Sequence, residues 1–166
     1  MAALAAVVVF PAAMICAGIM DLTTMKIRNW LLGFLIAFYA ILAPLAGFGL
    51  REIGLSLLIG ASVLLVAFTL FHLGWIGGGD AKLAAVSALW LGAVNTLDYV
   101  VYTALLGGVL AASMLLFRTF SIPVSWQRQP WVNRLHTDGA GIPYGVALAG
   151  AALIVFTYSP WTANLL

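Results

Sequence analysis

Long apolar runs dominate this chain of 166 residues and constrain its fold more than any other feature. Hydrophobic residues make up 64% of the chain and charged residues only 7%, whereas soluble domains carry about 25% charged residues. A run of about 20 apolar residues is long enough to cross a bilayer as a helix. The composition therefore predicts an all-α, polytopic membrane protein and excludes an ordinary soluble domain.

Six separate apolar runs predict about six transmembrane helices. They cover residues 2–20, 30–47, 53–74, 83–94, 99–117 and 142–158. The fourth run is short for a complete crossing, because a helix over residues 80–94 would be only about 22 Å long. The first run lacks the basic start of a signal peptide, so we expect it to be retained as a helix. We expect residues 1–166 to form a single integral-membrane domain.

The basic residues predict which loops share one side of the membrane. Six of the seven fall in the first, third and fifth loops: Lys26, Arg28, Lys82, Arg118, Arg128 and Arg134. The seventh, Arg51, lies in an even-numbered loop. Because basic residues accumulate on the cytoplasmic side, we expect the odd-numbered loops to be cytoplasmic and both termini to lie outside.

A glycine-rich stretch, G-G-G-D-A-K-L at residues 77–83, separates the third and fourth apolar runs. Glycines leave the backbone open to close approach by another chain, so Gly77, Gly78 and Gly79 are candidates for shaping a binding site. Asp80 is expected to cap a helix that begins at Ala81. An acid at the edge of apolar surroundings is costly unless it is solvated, paired or used, and a capping role does not exclude chemistry.

A second acid, Asp21, is expected at the same membrane level as Asp80. By the predicted topology, Asp21 follows the first helix in a polar stretch over residues 21–29, while Glu52 and Asp98 fall on the opposite side. Two neighbouring carboxyl groups tend to share a proton. One can then activate a water molecule while the other polarises a carbonyl group, which is the chemistry of peptide hydrolysis. The alternative is that Asp21 is a solvated loop residue and Asp80 a helix cap.

Three motifs resemble those of a known family. The sequence G-G-G-D at residues 77–80 resembles the GxGD signature of membrane aspartyl proteases. Asp21, followed by K-I-R-N at residues 26–29, resembles the first catalytic segment of bacterial type IV prepilin peptidases, and G-I-P-Y-G at residues 141–145 resembles their small C-terminal motif. The motifs occur in the family's order, and the six-helix layout covers nearly the whole chain.

The resemblance implies a function and a location. Asp21 and Asp80 would be the catalytic pair, and the substrate would be a prepilin with a basic leader and an apolar helix. Cleavage would occur at the cytoplasmic face of a bacterial inner membrane. The lipid bilayer is the other expected partner, and nucleic acid is not expected as one.

The chain also departs from the longer members of this family. These carry a cytoplasmic insertion, often with paired zinc-binding cysteines, that is associated with methylation of the mature pilin. Here the predicted first loop covers only residues 21–29, and the one cysteine is Cys16. The chain therefore resembles the short form that accompanies tight-adherence (Flp-type) pili, and we expect peptidase activity alone, without a metal or cofactor. His136 and Asp138 offer too few ligands for a metal site.

Two lysines have alternative interpretations. Lys82 is a candidate for tuning the acids or contacting substrate, and equally a basic anchor at the membrane surface. A direct pair with Asp80 is not expected, because positions i and i+2 do not face each other on a helix. Lys26 is a candidate substrate contact, although anchoring is the favoured interpretation.

Two other functions remain open at this stage. The first is a presenilin-like protease that cuts within transmembrane helices. The second is a small transporter or channel in which Asp21 and Asp80 bind a cation or relay protons, since intramembrane acids commonly do so. No duplicated half is evident in the sequence, which weakens the transporter interpretation because many transporters are built from repeats.

Overall fold

The computed structural model describes residues 1–121, 123, 126, 128–137 and 139–163, and this part of the chain is built from helices. They are α1 (Ala2–Thr24), α2 (Asn29–Leu45), α3 (Leu50–His72), α4 (Gly78–Thr119), α5 (Pro130–His136), α6 (Tyr144–Phe156) and α7 (Pro160–Ala163). Four segments are long and apolar enough to cross a membrane, namely α1, α3, α4 and the stretch formed by α6 with α7, and α2 is a shorter apolar helix. The predicted all-α, polytopic membrane fold is confirmed.

Helix α4 is interrupted at Gly92, where φ is 75° and ψ is 174°. Asp80 precedes this break and Thr103 follows it, yet both line the same cavity, so the chain reverses direction there. We call residues 78–91 the first arm and residues 93–119 the second arm. The two arms correspond to the fourth and fifth predicted runs, and the first arm spans about 21 Å. The connection expected over residues 95–98 is wrong, because a single glycine makes the turn and these residues are helical.

Side chains bind the carbonyl groups at this break. Trp161 Nε1 donates to the carbonyl of Trp90 at 2.7 Å, Asn95 Nδ2 donates to the carbonyl of Leu91 at 3.2 Å, and the Thr96 hydroxyl donates to the carbonyl of Gly92 at 2.7 Å. Unpaired backbone groups are costly in a membrane, where water is not available to bind them. The polar residues around Gly92 therefore satisfy carbonyl groups at the point where the helix stops.

An aromatic cluster surrounds the end of the first arm. The ring centroids of Phe10, Tyr39 and Trp161 lie 5.1, 5.7 and 5.0 Å from that of Trp90. The Trp90 indole also donates a hydrogen bond of 3.1 Å to the carbonyl of Leu35. Buried tryptophans usually need such a partner for the ring N–H. The cluster joins α1, α2 and α7 to α4 beside the break.

Helix α3 packs mainly on α4. A Cβ atom at Gly60 would lie 3.2 Å from the Cβ of Leu89 and 3.3 Å from the carbonyl oxygen of Ala85. Small residues permit this close approach of helix backbones in membranes. Most of the remaining surface of α3 is apolar and exposed, as at Leu58 and Leu65, which suits contact with lipid.

Replacing Gly92 by alanine should destabilise the protein. Its φ and ψ angles lie in a region that is essentially restricted to glycine, so the substitution is expected to lower the free energy of unfolding by about 1–3 kcal/mol. The measurement is unfolding of detergent-solubilised protein by SDS titration. Gly108→Ala is the matched control, because it lies on the second arm with nothing within 4 Å of an added Cβ atom. Equal stability of the two variants would contradict the prediction.

Candidate active site

Asp21 lies in the last turn of α1 rather than in a loop, and its residue is only 4% exposed. The expected end of the first helix near residue 20 is therefore wrong by about one turn. Thr23 and Thr24 continue the helix, and their hydroxyls donate to the carbonyls of Ile19 and Met20, each at 2.7 Å. These bonds satisfy the two polar side chains within the helix. The interpretation of Asp21 as a solvated loop residue is excluded by its burial.

The Asp21 carboxylate binds the N-terminus of α6. The backbone N–H of Gly145 donates to Asp21 Oδ2 at 2.7 Å. The first N–H groups of a helix have no partner within the helix, and a carboxylate there also interacts favourably with the helix dipole. Asp21 thus caps a helix that lies far away in sequence. The G-I-P-Y-G motif of residues 141–145 is physically linked to the first predicted acid.

Asp80 lies in the first turn of α4, and the prediction that it caps a helix beginning at Ala81 is wrong. The helix begins at Gly78 with Gly77 as its N-cap, and the N–H of Ala81 already donates to the carbonyl of Gly77 at 3.0 Å. The Asp80 carboxylate turns back toward the N-cap, since a Cβ atom at Gly77 would lie 2.9 Å from Asp80 Oδ2. The third residue of a capping box points in the same direction. The carboxyl group also lines a cavity.

The glycines before Asp80 pack tightly against other parts of the protein. A Cβ atom at Gly79 would lie 3.3 Å from the Cβ of Ile27, in the loop after α1. One at Gly78 would lie 3.2 Å from the ring of Phe71. The absence of side chains at these positions brings the first and third loops together. Contact of Gly77, Gly78 and Gly79 with a substrate stays a prediction.

The two lysines predicted at the site have different surroundings. Lys82 Nζ donates to Asn29 Oδ1 at 3.0 Å, which joins the first turn of α4 to the start of α2. Lys26 is exposed. Arg134 Nη1, in α5, donates to the carbonyl of Thr23 at 3.3 Å. The three odd-numbered loops therefore meet at one end of the bundle, while contact of either lysine with a substrate stays a prediction.

The structure brings the two predicted acids together at this end. Asp21 accepts the N–H of Gly145, and the neighbouring Tyr144 lines the same cavity as Asp80. Two other acids have separate partners: Glu52 Oε2 accepts the N–H of Gly49 at 2.7 Å, and Asp98 Oδ2 accepts the hydroxyl of Tyr158 at 3.4 Å. Both acids thus lie at the end of the bundle that the topology predicted for them, and their action as a catalytic pair is a proposal.

A cavity of about 510 Å³ lies between α3, both arms of α4 and α6, with Asp80 in its wall. The wall is mostly apolar, and Tyr99, Thr103 and Tyr144 add hydroxyl groups. Among the residues that the structure describes, the buried hydroxyls of Tyr99 and Thr103 have no hydrogen-bond partner. The ring of Tyr144 packs directly against Gly107, where a Cβ atom has no room. Tyr99 and Thr103 were not among the predicted site residues, although their i, i+4 spacing in the fifth apolar run places them on one face of a helix.

The possible metal pair of His136 and Asp138 lies partly outside the described residues, because Asp138 is not among them. His136 Nε2 lies 2.7 Å from the carbonyl oxygen of Phe120, and its ring lies edge-on to Phe117 at 5.4 Å. Within the described part of the chain, no three His, Cys, Asp or Glu side chains are grouped so as to hold a metal ion.

The fold defines a multi-pass helical membrane protein with two buried or partly buried acids at one end of the bundle, one of them beside an apolar cavity. A family model for the type IV leader peptidase family matches residues 8–112, which include both acids. The chain belongs to the type IV leader peptidase family. This confirms the predicted relationship to prepilin peptidases, and it implies a leader peptidase-like protease with a prepilin substrate. Neither a curated protein nor a solved structure matches the chain significantly.

Replacing Gly145 by alanine should impair the site. The added Cβ atom would lie 2.8 Å from Asp21 Oδ2 and 2.9 Å from Asp21 Cβ, so the carboxyl group must move. A displacement of about 1 Å in a catalytic group can lower the rate on the order of 10²-fold, and we expect a loss of that size in leader-peptide cleavage. Gly18→Ala is the control in the same α1–α6 interface, because its Cβ would lie at an ordinary 3.6 Å from Ala149. Similar rates for the two variants would show that the Gly145 contact is unimportant.

Proposed function

We propose that this protein is an aspartyl endopeptidase that removes the leader peptide from type IV prepilins, with Asp21 and Asp80 as its catalytic pair. The observation that carries the proposal is the placement of these two acids at one end of the bundle, where Asp80 and Tyr144 line one cavity and the next residue, Gly145, binds Asp21. Membership of a leader peptidase family supports the peptidase class. The aspartyl mechanism rests on the paired carboxyl groups.

The proposed mechanism uses one water molecule and one proton shared by the pair. The ionised carboxylate accepts a proton from the water as its oxygen attacks the scissile carbonyl carbon, while the protonated carboxyl group donates to the carbonyl oxygen. The tetrahedral intermediate collapses as a proton passes to the leaving amine nitrogen. We assign the proton to the pair as a unit, because strongly coupled groups titrate together.

Helices hold both carboxyl groups in place. Asp21 lies in the last turn of α1 and accepts the Gly145 N–H at the start of α6, and Asp80 lies in the first turn of α4. Each acid is therefore fixed from a rigid helix rather than from a loop. Such support favours catalysis because reacting groups need to be oriented before the reaction begins.

The cavity and the loop charges support the nature of the substrate and the site of cleavage. An apolar prepilin helix lying in the membrane fits beside the apolar walls of the cavity of about 510 Å³. The end of the bundle that holds the acids also holds Lys26, Lys82 and Arg134. By the positive-inside rule, this end faces the cytoplasm, so we propose cleavage at the cytoplasmic face of a bacterial inner membrane. In this proposal the glycines of residues 77–79 and the two lysines shape the substrate site.

The short connection between α1 and α2 supports the subtype. Helix α1 ends at Thr24 and α2 begins at Asn29, so only residues 25–28 separate them. We propose that the chain corresponds to the short, Flp-type form and acts only as a peptidase. Its residues 1–166 then form one peptidase domain.

Replacing either Asp21 or Asp80 by asparagine should abolish cleavage. The change removes a proton-transfer group while keeping its shape, and we expect the rate to fall by at least about 10²-fold. The assay uses detergent-purified protein and a prepilin tagged at its C-terminus, with N-terminal sequencing of the product. Asp98→Asn is the matched control, because Asp98 is exposed and contacts Tyr158 away from the pair.

The outcomes separate the proposed function from its rivals. A product cut at the leader boundary by wild type and by the Asp98 variant, and missing from the other two, supports the proposal. A product cut inside the apolar helix would instead indicate a presenilin-like protease. Proton flux in sealed vesicles without proteolysis would indicate a transporter. Wild-type rates in both folded variants of the pair would refute the catalytic assignment.

A further inference from the structure

Arg118 makes an unusual set of contacts at the end of the second arm. Its Nε atom donates to the carbonyl of Leu135 at 2.9 Å. Its Nη2 atom donates to the carbonyls of Ala140 and Gly141, at 2.7 and 3.1 Å. In the sequence, Arg118 is one of several basic loop residues that indicate the topology. Three hydrogen bonds from one guanidinium group indicate a more specific task.

These contacts fix an irregular piece of backbone. The carbonyls of Leu135, Ala140 and Gly141 belong to the end of α5 and to the segment that leads into α6. An irregular segment has no regular ladder of hydrogen bonds to hold it. Hydrogen bonds from a charged donor are stronger than neutral ones, and the planar guanidinium group fixes the relative positions of the carbonyls that it binds. Arg118 therefore acts as a clamp on this segment.

A rigid turn connects the clamped segment to Asp21. After Gly141, the N–H of Tyr144 donates to the carbonyl of Ile142 at 2.8 Å, and Pro143 has φ −71° and ψ 75°. These values describe an inverse γ-turn, and the proline ring restricts φ at its centre. The next residue is Gly145, whose N–H donates to the Asp21 carboxylate. Only residues 142–144 separate Gly141 from Gly145, and the turn at Pro143 restricts the backbone conformations available to them.

We propose that Arg118 is a positioning residue for Asp21. It holds the carbonyls of Ala140 and Gly141, and the turn at Pro143 transmits this position to the Gly145 N–H, which orients the Asp21 carboxyl group. The inference rests on the proposed function in so far as Asp21 is catalytic. The hydrogen bonds of Arg118 go to backbone carbonyls and not to either acid. The competing explanation is that Arg118 is only a basic anchor at the membrane surface.

The test compares Arg118→Lys and Arg118→Gln with wild type. Lysine keeps the positive charge and hence the topological signal, but it lacks the planar fork. We expect both variants to lower kcat of prepilin cleavage by about tenfold or more and to leave KM within about twofold, because orientation of a catalytic group acts on the chemical step. Arg128→Gln is the control, since it removes a positive charge from an exposed residue of the same polar segment.

A second readout does not depend on catalysis. Exchange of the Gly145 amide hydrogen, followed by mass spectrometry with fragment-level resolution, reports the bond to Asp21. We expect this exchange to be about tenfold faster in both Arg118 variants and unchanged in the Arg128 variant. Wild-type kcat and wild-type exchange in Arg118→Lys would overturn the inference and leave the anchor explanation. Absence of prepilin cleavage by wild type would overturn the proposed function, whereas the exchange measurement would still decide whether Arg118 positions Gly145.

Discussion

A membrane interior contains no water to bind a free backbone group, and this constraint governs the break at Gly92. The chain reverses there within one residue, and the side chains of Asn95, Thr96 and Trp161 bind three successive carbonyls. Because the turn is so tight, the two arms of α4 stay side by side. Together with α3 and α6 they enclose the cavity that Asp80 lines. The geometry of the candidate site thus depends on hydrogen bonds made near the other end of the bundle.

Hydropathy predicted the apolar helices well, and it failed where hydrogen bonding decides the structure. The predicted runs over residues 30–47 and 53–74 lie close to the observed α2 and α3. In contrast, the last turn of α1 contains Asp21, Thr23 and Thr24, whose polarity indicated a loop although their side chains find partners in the helices. The short helix α5 was not predicted, because it lies in a segment of mixed polar composition. Hydropathy indicates whether a stretch of residues prefers lipid or water, but it does not indicate which hydrogen-bond partners a polar side chain will find.

The pairing of Asp21 with Asp80 was predicted from the apolar runs and the loop charges, which left few other acids on the same side, and from the resemblance to a known family. The groups that hold this pair were less accessible to prediction. The Gly145 N–H is a backbone donor, and a side-chain pattern does not reveal where such a donor points. Arg118 looks like any other basic loop residue until its carbonyl partners are known. A contact between a side chain and a backbone group far away in sequence produces no periodic pattern in the sequence. Such contacts can therefore be identified only in the folded structure.

The contact between Asp21 and α6 also bears on biogenesis. Both acids are synthesised and inserted before the ribosome reaches residues 144–156, because α1 and α4 precede α6 in the chain. Until α6 joins the bundle, the Asp21 carboxylate lacks the Gly145 N–H that holds it. A partly synthesised chain thus carries both acids before the carboxyl group of Asp21 is held. Completion of the bundle is the step that brings this carboxyl group into its final position.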